Sequence, residues 1–235
     1  TAGGDIEKIN KTLNYRQLVD EEVVGYSFIV IKIFRYLRQK WSKYSMGFIF
    51  ACIFSPILKL IQSYKLINQD FQKVKNINFA DSRFDDLWNR TKHIYGTTNI
   101  RTSEIINWYC FNSEPFKKML FGYFDNDLLY GYAIFINKDK VLKELELVDL
   151  WIDPTKKNTV NQLLNYSVNY GLKNGFDRVI FPHWSPGIIN HLKKMNYFRS
   201  RSKQIRRYYK ANSEIINRLH DHDSYFVGLQ GDYGL

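Results

Sequence analysis

Three carboxylates stand close together near the end of one strand-like run: Glu146, Asp149 and Asp153 in Leu145-Glu146-Leu147-Val148-Asp149-Leu150-Trp151-Ile152-Asp153-Pro154. A carboxylate at a strand end can take a proton from an incoming nucleophile. Period-two alternation places Asp149 and Asp153 on one face, opposite Glu146 and Leu150. Thr155-Lys156-Lys157-Asn158-Thr159-Val160 follows at once, with two cations where a helical pattern begins. Lysines beside the first amides of a helix suit a phosphate group; two solvated lysines are the plainer alternative. His183, just after Phe181-Pro182, is a loop imidazole able to exchange protons, or a histidine with no chemical role.

Other reactive residue types give less. His220-Asp221-His222-Asp223 has metal-ligating side chains, but adjacent residues near a turn read as a solvated loop, and no further cluster completes a coordination shell. No metal is expected. Ser185, Cys52 and Cys110 lack the arrangement of a nucleophile with its base, so covalent hydrolase chemistry is not supported. Lys203, Arg206, Arg207 and Lys210 interleave with Tyr208 and Tyr209. That mixture can bind a polyanion, but alternation explains it as an ordinary strand, and no nucleic-acid motif accompanies it.

The elements that must position these residues are legible from period and punctuation. Residues 119–124 and 128–136 read as strands joined by Asp125-Asn126-Asp127, a hairpin connection. The run 145–152 is a third strand, ended at Pro154, which cannot donate to a ladder. Residues 158–173 carry Val160, Leu163, Leu164, Ser167, Val168 and Leu172 at helical spacing, closed by Asn174-Gly175. Residues 176–181 read as a buried strand and 186–194 as a short helix. Upstream, Asp81 or Ser82 can cap a helix with the stripe Phe84, Leu87, Trp88, Thr91 and Ile94. Tyr95-Gly96-Thr97-Thr98 breaks it, and Ser103-Glu104 starts another helix with Ile105, Ile106, Tyr109 and Cys110 on its apolar face.

At 235 residues and 45% apolar, the chain can bury one good core or somewhat more. A net charge of +11 favours anionic partners. Two distant cysteines point to free thiols in a reducing, cytoplasmic compartment. Residues 44–58 form a charge-free apolar stretch, too short and too Pro-interrupted to span a bilayer. It reads as a buried or interdomain helix, or as an interfacial segment whose neighbours Lys32, Arg35, Arg38, Lys40 and Lys43 face an anionic membrane. Residues 6–16 resemble residues 188–198, with Asn14-Tyr15 on Asn196-Tyr197 and Ile6 on Ile188. The expected organisation is therefore residues 1–31 as the helix and strand ending a preceding unit, 32–70 as a helical connector, and 71–235 as the main domain.

Over residues 79–235 this order resembles the GNAT superfamily of acyl-CoA-dependent N-acyltransferases. Two helices come first, then antiparallel strands, a strand ending at Asp153-Pro154, a long helix, a strand and a short helix. Met195-Asn196-Tyr197 stands where the superfamily often has an aliphatic residue, Gly and Phe, and residues 225–232 would be the last strand. The resemblance implies an α/β (α+β) fold: a mixed, mostly antiparallel sheet with helices on both faces, preceded by the helical connector. It also looks like tandem GNAT proteins such as the Fem-type aminoacyltransferases.

In the superfamily the strand matching residues 148–152 splays from the next parallel strand, and its free edge hydrogen-bonds the pantetheine, a ligand adding itself as a strand. By that resemblance Leu150, Trp151, Ile152, Lys156, Lys157 and Asn158 would hold acetyl-CoA or another acyl-CoA. Asp149 would be the base that deprotonates the amine, with an ion pair to a nearby arginine as its alternative task. His183 would stand near the thioester. Two features depart from the superfamily: the loop before the helix lacks its Gly-x-Gly, and the position of its frequent Tyr acid is Leu192, with His191 beside it.

Three functional classes follow. The first is direct acyl transfer to a small amine such as an amino sugar. The second is a catalytically degenerate GNAT-like half of a tandem protein that binds substrate or supports structure. The third is a basic module on a membrane surface or nucleic acid, nucleic acid being the less expected.

Overall fold

The computed structural model describes residues 16–17, 26–40, 52, 56, 71–94, 98–112, 117–139, 141–182, 192, 198–199 and 208–209. In chain order the elements are β1 (Arg16–Gln17), β2 (Tyr26–Val30), α1 (Ile33–Lys40), β3 (Val74–Ile77), α2 (Ser82–Thr91) and α3 (Ser103–Asn107). A π-helical turn, Trp108–Asn112, continues α3. Then come β4 (Lys118–Asp125), β5 (Leu128–Asp139), β6 (Lys143–Ile152), α4 (Thr159–Lys173), β7 (Arg178–Pro182), β8 (Phe198–Arg199) and β9 (Tyr208–Tyr209).

Seven strands form one sheet in the order β3-β4-β5-β6-β7-β2-β8, antiparallel at every junction except β6–β7. The β4–β5 hairpin closes on the pair Asp125 and Leu128. Between them Asn126 and Asp127 take φ values of 48° and 61°, the left-handed backbone that a two-residue hairpin loop demands and that Asn and Asp tolerate. β1 pairs with β9 in a separate two-stranded sheet.

Helices cover both faces, as the sequence led us to expect. On one face Val160, Leu163, Leu164 and Val168 of α4 pack on Met119, Phe121, Ala133, Phe135, Leu147, Val179 and Phe181. The Phe121 ring is central there, 5.0 Å from Tyr170, 5.1 Å from Tyr166 and 5.5 Å from Phe135 between centroids, separations at which aromatic pairs add to plain burial. On the other face Phe84, Leu87, Ile106 and Tyr109 of the α2–α3 pair meet Leu120, Tyr132, Ile134, Ile136, Val148 and Trp151. α4 ends as its sequence requires, with Gly175 at φ 72° and the Phe176 amide donating back to the Gly171 carbonyl at 3.0 Å.

Two apolar assignments are corrected. Ile94 lies beyond the end of α2 and is exposed, and Ile105 points outward from α3 while Ile106, Tyr109 and Cys110 carry the buried face. The sequence places apolar residues at 105, 106, 109 and 110, and only packing selects which face turns inward. Asp81 caps α2, accepting from the Arg83 amide at 3.1 Å.

The sequence groups β2 with residues 1–31. It is an interior strand of the main sheet, paired with β7 on one side and β8 on the other. The readings on residues 6–15, 44–51, 53–55, 57–58, 95–97, 185–191, 193–197, 203–207, 210, 220–223 and 225–232 fall outside the described residues. Among the described residues no helix is long and apolar enough to cross a membrane, and no group of His, Cys, Asp and Glu could hold a metal ion.

Candidate functional site

Among the described residues β6 and β7 are the only parallel neighbours in the main sheet, and their pairing is short: Glu144 with Arg178, Leu145 with Val179 and Glu146 with Ile180. Both strands continue past that point, β6 to Ile152 and β7 to Pro182, without a further register pair between them. The two strands part beyond Glu146.

A bulge lies at the parting. In the β5–β6 ladder Ile134 faces Asp149, while its neighbour Phe135 faces Leu147, so Val148 is extra. A bulge bends its strand and changes where the following side chains point. Val148 and Trp151 accordingly face α2 and α3, whereas Leu147 and Leu150 face α4. Asp149 and Asp153 share a face, as alternation predicts. Glu146 is corrected: opposite Ile136 it lies on the same α2–α3 side as Asp149, because the extra residue reverses the alternation between them.

Each of the three carboxylates is engaged. Glu146 accepts from Lys138 Nζ at 2.8 Å. Asp149 is wholly buried against Arg101, whose Nε and Nη2 each lie 3.2 Å from its oxygens. Asp149 also accepts from the Tyr132 hydroxyl at 2.9 Å and the Leu150 amide at 3.0 Å. Burial and then the Asp149 charge hold the Tyr132 phenol protonated well above its ordinary range. Asp153 accepts from the amide and the hydroxyl of Thr155, at 3.0 and 2.5 Å. Arg90 lies 3.7 Å from Asp153 and donates to the Leu129 carbonyl at 2.8 Å, leaving its Nε and Nη1 without a hydrogen-bond partner.

The loop from β6 to α4 keeps its shape without a glycine of its own. Asp153 pins Thr155, the Thr159 hydroxyl donates to the Lys156 carbonyl at 3.0 Å, and Asn158 takes the left-handed φ of 70°, which Asn adopts more readily than most residues. The glycine that permits close approach is on β5. A Cβ on Gly131 would lie 2.8 Å from Thr159 Cγ2 and 2.9 Å from the Trp151 carbonyl oxygen. Asn158 precedes α4 with no side-chain hydrogen bond to its first amides.

The proposed ligand-holding residues fare differently. Lys157 and Asn158 are exposed at this helix start. Lys156 is turned to the hairpin, where it pairs with Asp125 and lies 5.1 Å from the centre of the Tyr130 ring. Leu150 and Trp151 are buried, Trp151 donating its indole N–H to Thr91 Oγ1 at 2.8 Å, and Ile152 is half-buried. Leu192 is buried in the α4-side core. His183 lies outside the described residues.

Sequence reading missed Arg90, Arg101, Tyr132 and Asp125. An arginine partner for Asp149 was foreseeable, but nothing in the sequence selects Arg101, which precedes it by 48 residues.

No protein-family model matches the chain, and no curated protein matches it in sequence. Among solved structures, Saccharomyces cerevisiae N-myristoyltransferase with bound myristoyl-CoA aligns with a TM-score of 0.50 at 8% identity, over 75% of this chain and 45% of the yeast chain. Two others are a ribosomal-protein-alanine N-acetyltransferase from Brucella melitensis biovar Abortus (TM-score 0.44, 11% identity, 57% of this chain and 96% of that one) and an aminoglycoside acetyltransferase from a soil metagenome (0.45, 10%, 60% and 96%). At such identities the likeness is one of fold. With its parallel β6–β7 pair that parts at a bulge and its helices on both faces, the chain has a GNAT-like fold.

Proposed function

We propose that the chain is an acyl-CoA-dependent N-acyltransferase that binds its thioester where β6 and β7 part and passes the acyl group directly to a small amine such as an amino sugar. The observation that carries this reading is the end of the parallel ladder at Glu146 and Ile180 while both strands run on. An extended pantetheine can add itself there by main-chain hydrogen bonds. Its pyrophosphate then falls at the start of α4, beside Lys157 and Asn158, where helix amides favour an anion. Glu146, Asp149 and Asp153 already serve other partners. Proton removal from the amine is therefore assigned to His183, which follows the last residue of β7 in the sequence. Asp149 contributes by holding β6.

The test is calorimetric titration with acetyl-CoA and with free CoA at low and moderate salt, paired with a thiol-release assay over a panel of amino sugars. Micromolar binding that persists in moderate salt, with amine-dependent thiol release, supports the reading. Absence of binding, or binding abolished by moderate salt, overturns it.

The engagement of Asp149 by Arg101 and of Lys156 by Asp125 favours a second reading, a GNAT-like unit that serves as the substrate-binding or structural half of a tandem protein. It predicts acyl-CoA binding without thiol release, or neither.

A further inference from the structure

Among the described ion pairs, the one with both side chains fully buried lies on β6 past its last pair with β7. Arg101 and Asp149 each have a fully buried side chain. The Arg101 guanidinium joins its own segment to β6. Its Nε and Nη2 meet Asp149, its Nη1 donates to the Asn99 carbonyl at 2.9 Å and to Thr98 Oγ1, and its plane lies 4.4 Å from the centre of the Trp151 ring. Asp149 in turn receives Tyr132 from β5 and the Leu150 amide of its own strand.

Stability alone does not account for such a pair. Desolvating two charges costs as much as their attraction returns, and apolar replacements of similar volume are often neutral or better. What a forked donor supplies is fixed geometry. Here the fixed point is Asp149, which stands beside the extra residue of the β6 bulge, past the last β6–β7 pair. The bulge sets how far β6 leans from β7, and the residues that lean are the ones an acyl-CoA would pair with.

We infer that Arg101 is a positioning residue: acting through Asp149, it locks the bulge of β6 and binds the 98–101 segment between α2 and α3 to that strand as one mechanical unit. Disturbing the 98–101 segment therefore changes residues 147–152 of β6, and the reverse. The loop displays Lys92, His93, Ile94, Asn99 and Ile100 to solvent, so anything that touches it is sensed at residues 147–152. The inference rests on the acyl-CoA reading only where it concerns ligand affinity.

Two variants of the full chain test it by hydrogen exchange and by acetyl-CoA titration. The double variant Arg101→Met/Asp149→Asn removes both charges; the Asn oxygen can still accept the Leu150 amide, and its NH2 can donate to the Tyr132 hydroxyl oxygen. Thr98→Val removes one acceptor of the guanidinium from a half-buried loop position and leaves the buried pair in place, so it tests the link without requiring the core to repack. Exchange in 98–102 and 147–152 is expected to rise together, roughly tenfold in the double variant and about threefold in Thr98→Val, with α4 and the β4–β5 hairpin unchanged. Acetyl-CoA affinity is expected to fall roughly tenfold in the double variant at near-native melting temperature, a change that a purely structural pair would not produce. Faster exchange confined to 98–102, or native exchange at 147–152 in Thr98→Val, overturns the inference. If the native chain does not bind acetyl-CoA, the acyl-CoA reading fails and the exchange data alone decide the positioning role.

Discussion

Arg35 Nη1 lies 3.3 Å from Asp177 Oδ2, an ion pair between the helix that follows β2 and the turn that leads into β7. Asp177 is wholly buried, whereas the Arg35 side chain is 55% exposed. The same carboxylate accepts the Lys143 amide at 2.8 Å, and the Asp177 carbonyl accepts the amides of Ile31 and Lys32 at 2.8 and 3.1 Å. One residue thus ties the start of β6 and the end of β2 to the central sheet.

The two partners are expected to respond unequally. Arg35→Ala loses a half-exposed ion pair worth about 0–1 kcal/mol. Asp177→Ala strands the part-buried Lys143 amide and costs about 1–3 kcal/mol, a fall in melting temperature of roughly 2–12 °C for a chain of this size. Thermal unfolding of both variants checks the asymmetry; equal effects would mean that the side-chain pair, not the amide, carries the stability.

Gly131→Ala places a Cβ against Thr159 and the Trp151 carbonyl. The carbonyl cannot yield, so α4 must shift at its first turn, at a cost of about 1–3 kcal/mol. If phosphate binds at that helix start, CoA affinity falls along with the melting temperature. A variant with native stability and native CoA affinity would show that the contact is not tight.

The hairpin predicts an acid response. Hydrogen bonds from Lys156 and then Lys73 hold the Asp125 carboxyl below its ordinary value of 3.8, and Arg83 does the same for Asp81. A carboxyl depressed in the folded chain contributes stability that is fully present above its unfolded value and is lost as the pH falls through the folded one. Melting temperature should therefore drop as the pH is lowered below about 4, and Asp125→Asn should flatten that slope. Releasing Lys156 should also tighten CoA binding if phosphate competes with Asp125 for it; an unchanged affinity would remove Lys156 from the site.

The thiols should separate cleanly. Cys52 is exposed, whereas Cys110 is buried and its thiol is pushed up by that burial, which leaves little thiolate to react. A thiol reagent is expected to titrate one equivalent in the native chain and two in denaturant. Two fast equivalents in the native chain would contradict the burial of Cys110.

Patterns of short range were legible in the sequence. The 125–127 turn, the end of β6 at Pro154 and the Gly175 end of α4 follow from local chemistry, because φ preferences and missing amide donors act within a few residues. The bulge at Val148 was not legible. It leaves no mark in an alternating run of Leu, Val and Glu, and it moved Glu146 to the face of Asp149. Arg101 escaped for another reason: its partner is chosen by the way α2 and α3 lie on β6, a tertiary fact. The loop between β6 and α4 is a third case: Asn158 takes the left-handed backbone angle there, and the close approach at Gly131 comes from a different strand.

The place of β2 bears on how the chain is made. Residues 26–30 leave the ribosome long before residues 178–182, with which they pair, and before residues 198–199 on their other side. Until then a strand carrying Phe28, Ile29 and Val30 has no ladder to join, while the hairpin and α4 can already assemble beside it. Such distant pairing slows folding and leaves an open strand edge. A nascent chain halted before residue 178 should therefore depend on a chaperone that shields extended apolar segments, and should lose that dependence once β7 has emerged.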